Sequence, residues 1–313
     1  MKILITGVHG FVGCNLVNYL AGKNELYGLD IIAPQKEGVI KTYSWSDLEA
    51  GNIIEVDAII HLAGKAHDTK NQAAADVYFK VNTDLTKKVF DYFLTHKSIK
   101  KFVFFSTAKA AADKVEGVLT EEVVPSPVGP YGESKIAAER YLLSKMEDAR
   151  SKCKDVYIFR PCMIHGPGNK GNLNLLYGVV KKGIPWPLGA FENRRTFTSI
   201  ENICFAVNGV LTKDVESGIY NMGDDEALST NELIEEICKS LGKKAHIWKL
   251  PKGLMNGVAK IGDALHLPLD SERLRKLTED YISSNSKIKK ALGVERMPVD
   301  AREGLKVTLE SFK

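Results

Sequence analysis

The stretch TGVHGFVG, residues 6–13, follows the apolar run KILIT and leads into the helical pattern GFVGCNLVNYLAG. Gly7, Gly10 and Gly13 therefore stand where a strand hands over to a helix. Glycines are needed there because the chain turns tightly and a bound pyrophosphate must approach the amides of the helix N-terminus. The spacing is G-x-x-G-x-x-G, one residue wider at its start than the dinucleotide fingerprint. Asp30 ends the next strand-like run, ELYGLD, where an acid accepts from the adenosine ribose hydroxyls and repels a 2′-phosphate. NAD is thereby favoured, and Lys36, close by in a loop, keeps NADP open.

Apolar runs and helical patterns go on alternating. VDAIIHLA precedes the helical VYFKVNTDLTKKVFDYFLTH; KFVFFST precedes the helical GPYGESKIAAERYLLSKMEDA; VYIFRP comes last. Strands this apolar, separated by helices, imply an α/β fold with a doubly wound parallel sheet covered on both faces. At 313 residues the chain exceeds the usual size of a single core, so two lobes are expected. Residues 1–162 form the dinucleotide-binding domain and 163–313 mainly a smaller substrate-binding lobe, with 195–222 returning to the first. Beyond Pro161 the chain reads as loops and short helices. STNE supplies a capping box, Ser229 as N-cap and Glu232 three residues on. Between Lys252 and Leu267, the apolar Leu254, Met255, Val258, Ile261 and Leu265 recur at helical spacing, which predicts core or interface packing.

A net charge of +4, spread without a basic block, argues against nucleic acid as a partner. Apolar runs such as AIIHLAG are too short to cross a membrane, and MKILITG runs straight into a strand pattern without a signal peptide. Cys14, Cys153, Cys162, Cys204 and Cys238 form no CxxC pair, so reduced thiols in the cytoplasm are expected. His61 and His67 are six apart, which fits no common metal motif. Both read as structural or site-lining, and no metal is expected.

PYGESKIAAER places Tyr131 and Lys135 four residues apart in helix. Alone, such a pair reads as surface. Together with the TGxxGFxG turn, HLAG ending at Gly64, the FST strand end and RPCMIHGPG, it resembles the extended short-chain dehydrogenase/reductases, the NAD-dependent epimerase/dehydratase family acting on nucleotide sugars. SGIYNMG and NSKIKKALG are similar to that family's C-terminal elements. The resemblance implies a Rossmann-type domain, a UDP-linked sugar substrate and a homodimer. Val89, Phe93, Ile136 and Leu142 suit the dimer face or the sheet-facing core equally well.

For the site, the resemblance implies that Tyr131 moves the proton at the sugar oxygen while hydride passes to or from the nicotinamide. A tyrosine does this near neutral pH only if its pKa falls, and the Lys135 cation with the nicotinamide charge supplies the bias. Thr107 would bond the reacting oxygen, Ser106 being the less favoured partner. Phe11, Leu62, Ala63, Gly64 and Asn82 line the cofactor, with Asn82 opening a helix, and Lys135 bonds the nicotinamide ribose. On the substrate side it implies Lys109, Asn172 after GNKG, and Arg195 for phosphate oxygens. Arg194 reads as its equal in charge or as surface. Arg273 and Arg275 are candidates for a late arginine whose family context is missing, and His165 reads as packing.

Three reactions compete. Dehydratases carry an Asp-Glu pair after the threonine, and Ala108 and Lys109 cannot do that proton work. Reductase and 4-epimerase share Tyr131, Thr107 and Lys135. STAKAAAD, the stretch from GPGNKG to NRRTF, and Met163 in place of an asparagine lean towards reduction of a UDP-4-keto-6-deoxy-N-acetylhexosamine. A third possibility is a nucleotide-binding sensor without catalysis.

Overall fold

The computed structural model describes residues 1–66, 74–265 and 269–313. Their strands are β1 (Lys2–Thr6), β2 (Glu25–Leu29), β3 (Lys41–Tyr43), β4 (Ala58–His61), β5 (Lys101–Phe105), β6 (Val118–Leu119), β7 (Asp155–Pro161), β8 (Met163–His165), β9 (Arg195–Ser199), β10 (Gly218–Met222), β11 (Ala227–Leu228) and β12 (Ile282–Ser283). Seven of them form one sheet in the order β10-β7-β5-β4-β1-β2-β3. Every pairing in it is parallel; Leu4, for example, sits between Tyr27 and Ile59. The chain winds from β1 out to β3, then returns to β4 and winds the other way. That reversal opens a crevice at the carboxyl ends of β1 and β4, where such sheets bind ligands.

Both faces of the sheet are covered. Leu16 and Leu20 of the helix Phe11–Leu20 and Ile203 and Val207 of Ile200–Thr212 pack on one side. On the other, Phe90 and Phe93 of Leu85–Thr95 meet Leu142 of Pro130–Ser144. Val89, Phe93, Ile136 and Leu142 are all buried within the single chain. A separate core joins Leu173, Trp186, Phe197, Ile234 and Leu305 beyond the crevice. β8 and β11 flank β9 there, while β12 pairs with β6.

The helical stretch expected over residues 77–96 is interrupted. It runs as the helix Ala75–Tyr78, a π-helical turn Phe79–Asp84, and then Leu85–Thr95. The helix expected to run through Ala149 stops at Ser144 and restarts as Met146–Ser151. The capping box at Ser229 and Glu232 forms as read. In the helix Lys252–Leu265, Met255 and Ala259 are buried, but Leu254, Val258, Ile261 and Leu265 are exposed. Core or interface packing was expected for these five apolar positions, and within the chain Met255 alone of them packs into the core. Those four sit at spacings of four, three and four, one stripe turned away from the core. No helix among the described residues is long and apolar enough to cross a membrane.

Candidate active site

The glycine turn leaves β1 at the crevice. Gly7 has φ +69°, a left-handed conformation that glycine adopts without strain. A Cβ on Gly13 would meet the Gly7 carbonyl at 2.5 Å, so turn and helix approach as closely as backbone allows. Asp30, just beyond β2, accepts from His9 N at 3.0 Å and Ile31 N at 2.8 Å, which points its carboxylate at the turn. His9 Nε2 is buried there without a partner. Lys36, the cation that keeps NADP open, lies with its ammonium 3.1 Å from Cys14 Sγ. Phe11 and Leu62 are half-buried against the core layer beneath.

Thr6 at the end of β1 organises the neighbouring loop. Its hydroxyl oxygen accepts from Leu62 N at 3.2 Å and Ala63 N at 3.0 Å, and contacts His61 Nδ1 at 2.7 Å. His61 Nε2 meets Thr86 Oγ1 at 2.9 Å. Full burial drives this imidazole down to about 3, so it stays neutral and serves structure. His67 lies outside the described residues. Asn82, in the π-helical turn and not at a helix start as expected, clips the loop to the next element. It accepts from Lys65 N at 2.7 Å and donates to Lys65 O and Ser134 Oγ, both at 3.0 Å. A Cβ on Gly64 would stand 3.0 Å from Asn82 Oδ1 and 3.1 Å from Lys135 Nζ. The loop thus passes the lysine so closely that a side chain there would press on both polar groups.

The strand β5 stops at Phe105, and Ser106 and Thr107 continue in extended backbone, Thr107 capping the short helix Ala108–Ala111. Thr107 acts on the neighbouring Tyr131 phenol, pulling its pKa down, and its oxygen accepts from Lys109 N at 3.3 Å. Ser106 points elsewhere, donating to Glu139. Tyr131 is half-buried, with Tyr78 against it edge-on at 6.5 Å. Lys135 is buried, its ammonium on Phe105 O at 2.8 Å.

The chain's own groups set the following charge states, to which the nicotinamide charge of the expectation would add. Burial holds Tyr131 above its ordinary value, with Thr107 acting in the opposite direction and Tyr78 adding to the rise. Burial also brings Lys135 down to about 8, opposed by Glu139. The ammonium is bonded to the strand carbonyl.

The substrate-side residues divide. Lys109 is already paired: Nζ meets Asp113 Oδ1 at 2.9 Å and Asp113 O at 2.8 Å, over the Tyr281 ring. Asp113 also takes Arg275 Nη2 at 3.1 Å, and Arg275 Nη1 bonds Glu279 at 3.0 Å. Burial alone would raise the Asp113 carboxyl, but Lys109 and Arg275 hold it below the ordinary value. Arg195, on β9, donates to the Lys276 carbonyl, and burial lowers its guanidinium. Arg194 and Asn172 are exposed. Of the two late candidates, Arg275 joins this network and Arg273 sits over Asp270 at 3.6 Å near the surface. His165 is buried between Thr308, at 2.8 Å, and Asp224, at 3.4 Å. Among the described residues no cluster suited to a metal is present.

The model for the NAD dependent epimerase/dehydratase family matches residues 3–223. The chain belongs to this family. It is 29% identical to a UDP-glucose 4-epimerase of Vibrio cholerae, over 99% of this chain and 95% of that one. A GDP-6-deoxy-D-mannose reductase of Pseudomonas aeruginosa is 24% identical over 75% of this chain and 78% of its own. The solved UDP-glucose 4-epimerase of Thermus thermophilus in complex with NAD superposes with a TM-score of 0.75 at 24% identity, covering 100% and 99% of the two chains, and shares the fold.

The crevice of this epimerase/dehydratase fits NAD on its own evidence: the side-chain-free approaches at Gly7, Gly13 and Gly64, the unpaired His9 Nε2 and the oriented Asp30 carboxylate. When bound, NAD would supply the hydride acceptor, or as NADH the hydride donor. Tyr78, Ser134 and the Glu139–Arg160 pair also belong to the site region. Glu139 alone had a visible signal, four residues beyond Lys135 on the same helix face.

Proposed function

We propose that this chain is an NAD-dependent oxidoreductase acting at C4 of a nucleotide sugar, with Tyr131 exchanging a proton with the C4 oxygen. The observation that carries this is the meeting of Thr107, just past the end of β5, with Tyr131 and Lys135 of one helix at the carboxyl edge of the sheet, Lys135 being bonded to Phe105 O at 2.8 Å. Thr107 would hold the sugar oxygen against the phenol, and Lys135 would hold the cofactor ribose. Gly7, Gly10, Gly13, Asp30 and Asn82 would shape the remainder of the dinucleotide site. Lys109, Asn172 and Arg195 are assigned to the substrate side, with Lys109 acting from its pair with Asp113.

Within that chemistry, our first reading is net reduction of a UDP-linked 4-keto-6-deoxy-N-acetylhexosamine. Its support is Lys109 and Met163 and the likeness of STAKAAAD to surface-polysaccharide enzymes. The second reading is 4-epimerisation, favoured by the Vibrio cholerae relative named a UDP-glucose 4-epimerase. Dehydration is the weakest of the three, because Ala108 and Lys109 provide no acid–base pair. A sensor without catalysis leaves the convergence of Thr107, Tyr131 and Lys135 without a purpose. We also propose a cytoplasmic homodimer, to be read from the mass in solution, with two functional units: residues 1–162 joined by roughly 195–222, and the remainder of 163–313.

The deciding experiment incubates the protein with UDP-glucose and UDP-N-acetylglucosamine without added reductant, and separately with NADH and UDP-4-keto-6-deoxy-N-acetylhexosamine. NADH oxidation in the second mixture alone is the expected result. Epimer formation in the first would replace the reductase reading with the epimerase one. NAD binding with no turnover in either would favour the sensor.

A further inference from the structure

Three successive residues leaving β5 are each held by one residue of the helix Pro130–Ser144. Phe105 O accepts from Lys135 Nζ at 2.8 Å, Ser106 Oγ donates to Glu139 Oε1, and Thr107 lies where its side chain acts on the Tyr131 phenol. Tyr131, Lys135 and Glu139 are four residues apart and share one helix face. Neighbouring side chains on extended backbone point to opposite sides, so anchoring Ser106 inward turns Thr107 towards the crevice. Thr107, at φ −162° and ψ 150°, is in that extended conformation.

The anchor is itself held. Glu139 is 0% exposed and accepts from Arg160 Nε at 3.0 and 3.1 Å; Arg160, on β7, is 1% exposed. A buried ion pair is weak evidence for stability, because apolar residues of similar volume often serve as well. Its place beside the catalytic strand end is the better account of it.

We propose that Glu139, held by Arg160, is a positioning residue: through Ser106 it fixes the end of β5 so that Thr107 presents its hydroxyl to Tyr131, and its carboxylate stands one turn beyond the Lys135 ammonium. This rests on the hydride-transfer reading above. The groups facing Lys135 are Glu139 and Tyr131 from its own helix, neutral His61 from β4, uncharged Asn82 from the π-helical turn, and Arg160 from β7 by way of Glu139. Glu139 supplies the negative charge in that set.

The test compares Ser106→Ala and Glu139→Gln with wild type. In Ser106→Ala, NADH affinity and KM stay within about threefold of wild type while kcat falls about tenfold or more, a split that general destabilisation does not produce. In Glu139→Gln the alkaline limb of the kcat/KM profile moves to lower pH by about half a unit or more, and in Ser106→Ala it does not move. A readout independent of turnover is the crystal structure of Ser106→Ala, in which Thr107 Oγ is expected to leave the Tyr131 hydroxyl. Wild-type kcat in Ser106→Ala, or a crystal structure with that contact intact, overturns the proposal. If Glu139→Gln does not fold, Ser106→Ala decides it. If wild type turns over no sugar nucleotide, the functional reading fails, and the crystal structure still decides the positioning role.

Discussion

Lys135 donates to the Phe105 carbonyl at 2.8 Å, so the ammonium one turn after Tyr131 is bonded to the strand that carries Thr107. The lysine therefore ties helix to sheet as well as placing charge near the phenol. Burial brings Lys135 down to about 8 against the pull of Glu139, and burial likewise holds Tyr131 above its ordinary value.

Tyr131→Phe removes the proton donor and leaves the ring in place. Turnover of the nucleotide sugar is expected to fall about 10²–10⁴-fold, the usual contribution of a positioned acid–base group. NADH affinity, read by fluorescence titration, is expected to stay within about threefold, because no dinucleotide contact is assigned to this hydroxyl. Activity near wild type in this variant would remove Tyr131 from the mechanism.

The Lys135 value sets a pH prediction. Its folded value, about 8, lies below the ordinary 10.5, so the ammonium is lost as pH rises through 8. If the ammonium is the working form, kcat/KM is expected to fall on the alkaline side with a midpoint near pH 8. Lys135→Arg keeps its charge at every accessible pH, and its residual activity should lose that limb. A wild-type profile flat to pH 10 would contradict the assignment.

Legibility in the sequence followed periodicity. The runs KILIT, VDAIIHLA and VYIFRP are apolar because both faces of the sheet are covered, and they fold as β1, β4 and β7. β6, β8, β11 and β12 have two or three residues each, too few for an alternation to show. The π-helical turn through Asn82 follows from tertiary bonds to Lys65 and Ser134, which local propensity does not encode. Thr107, Tyr131 and Lys135 carry a spacing and come together at one sheet edge. Lys109 and Asp113 stand at i, i+4, a spacing the sequence displays, but the Arg275 that joins Asp113 lies 162 residues further along, and no spacing rule reaches that far.

Asp30 gives a prediction on cofactor choice. Its carboxylate is held by His9 N and Ile31 N, where it would repel a 2′-phosphate. Asp30→Asn keeps an acceptor and removes the charge. The ratio of NADH to NADPH efficiency is expected to drop about tenfold, equivalent to roughly 1.4 kcal/mol of lost discrimination. A wild-type preference for NADPH would refute the reading of this acid before any variant is made.

Gly13 and Gly178 form a matched pair for the final prediction. A Cβ on Gly13 would lie 2.5 Å from Gly7 O and 2.9 Å from Val8 Cα and C, all backbone atoms that no rotamer change can move. Gly13→Ala must therefore open the turn, at a cost of about 1–3 kcal/mol in urea unfolding. Its NAD dissociation constant is expected to rise about tenfold or more, because the amides at the helix N-terminus lose their alignment. Gly178, inside the helix Asn172–Lys181, has open space where its Cβ would go. Gly178→Ala is expected to stabilise the protein by about 0.5–1 kcal/mol with NAD affinity unchanged. Equal effects of the two substitutions on NAD affinity would show that the close approach at Gly13 has no part in binding.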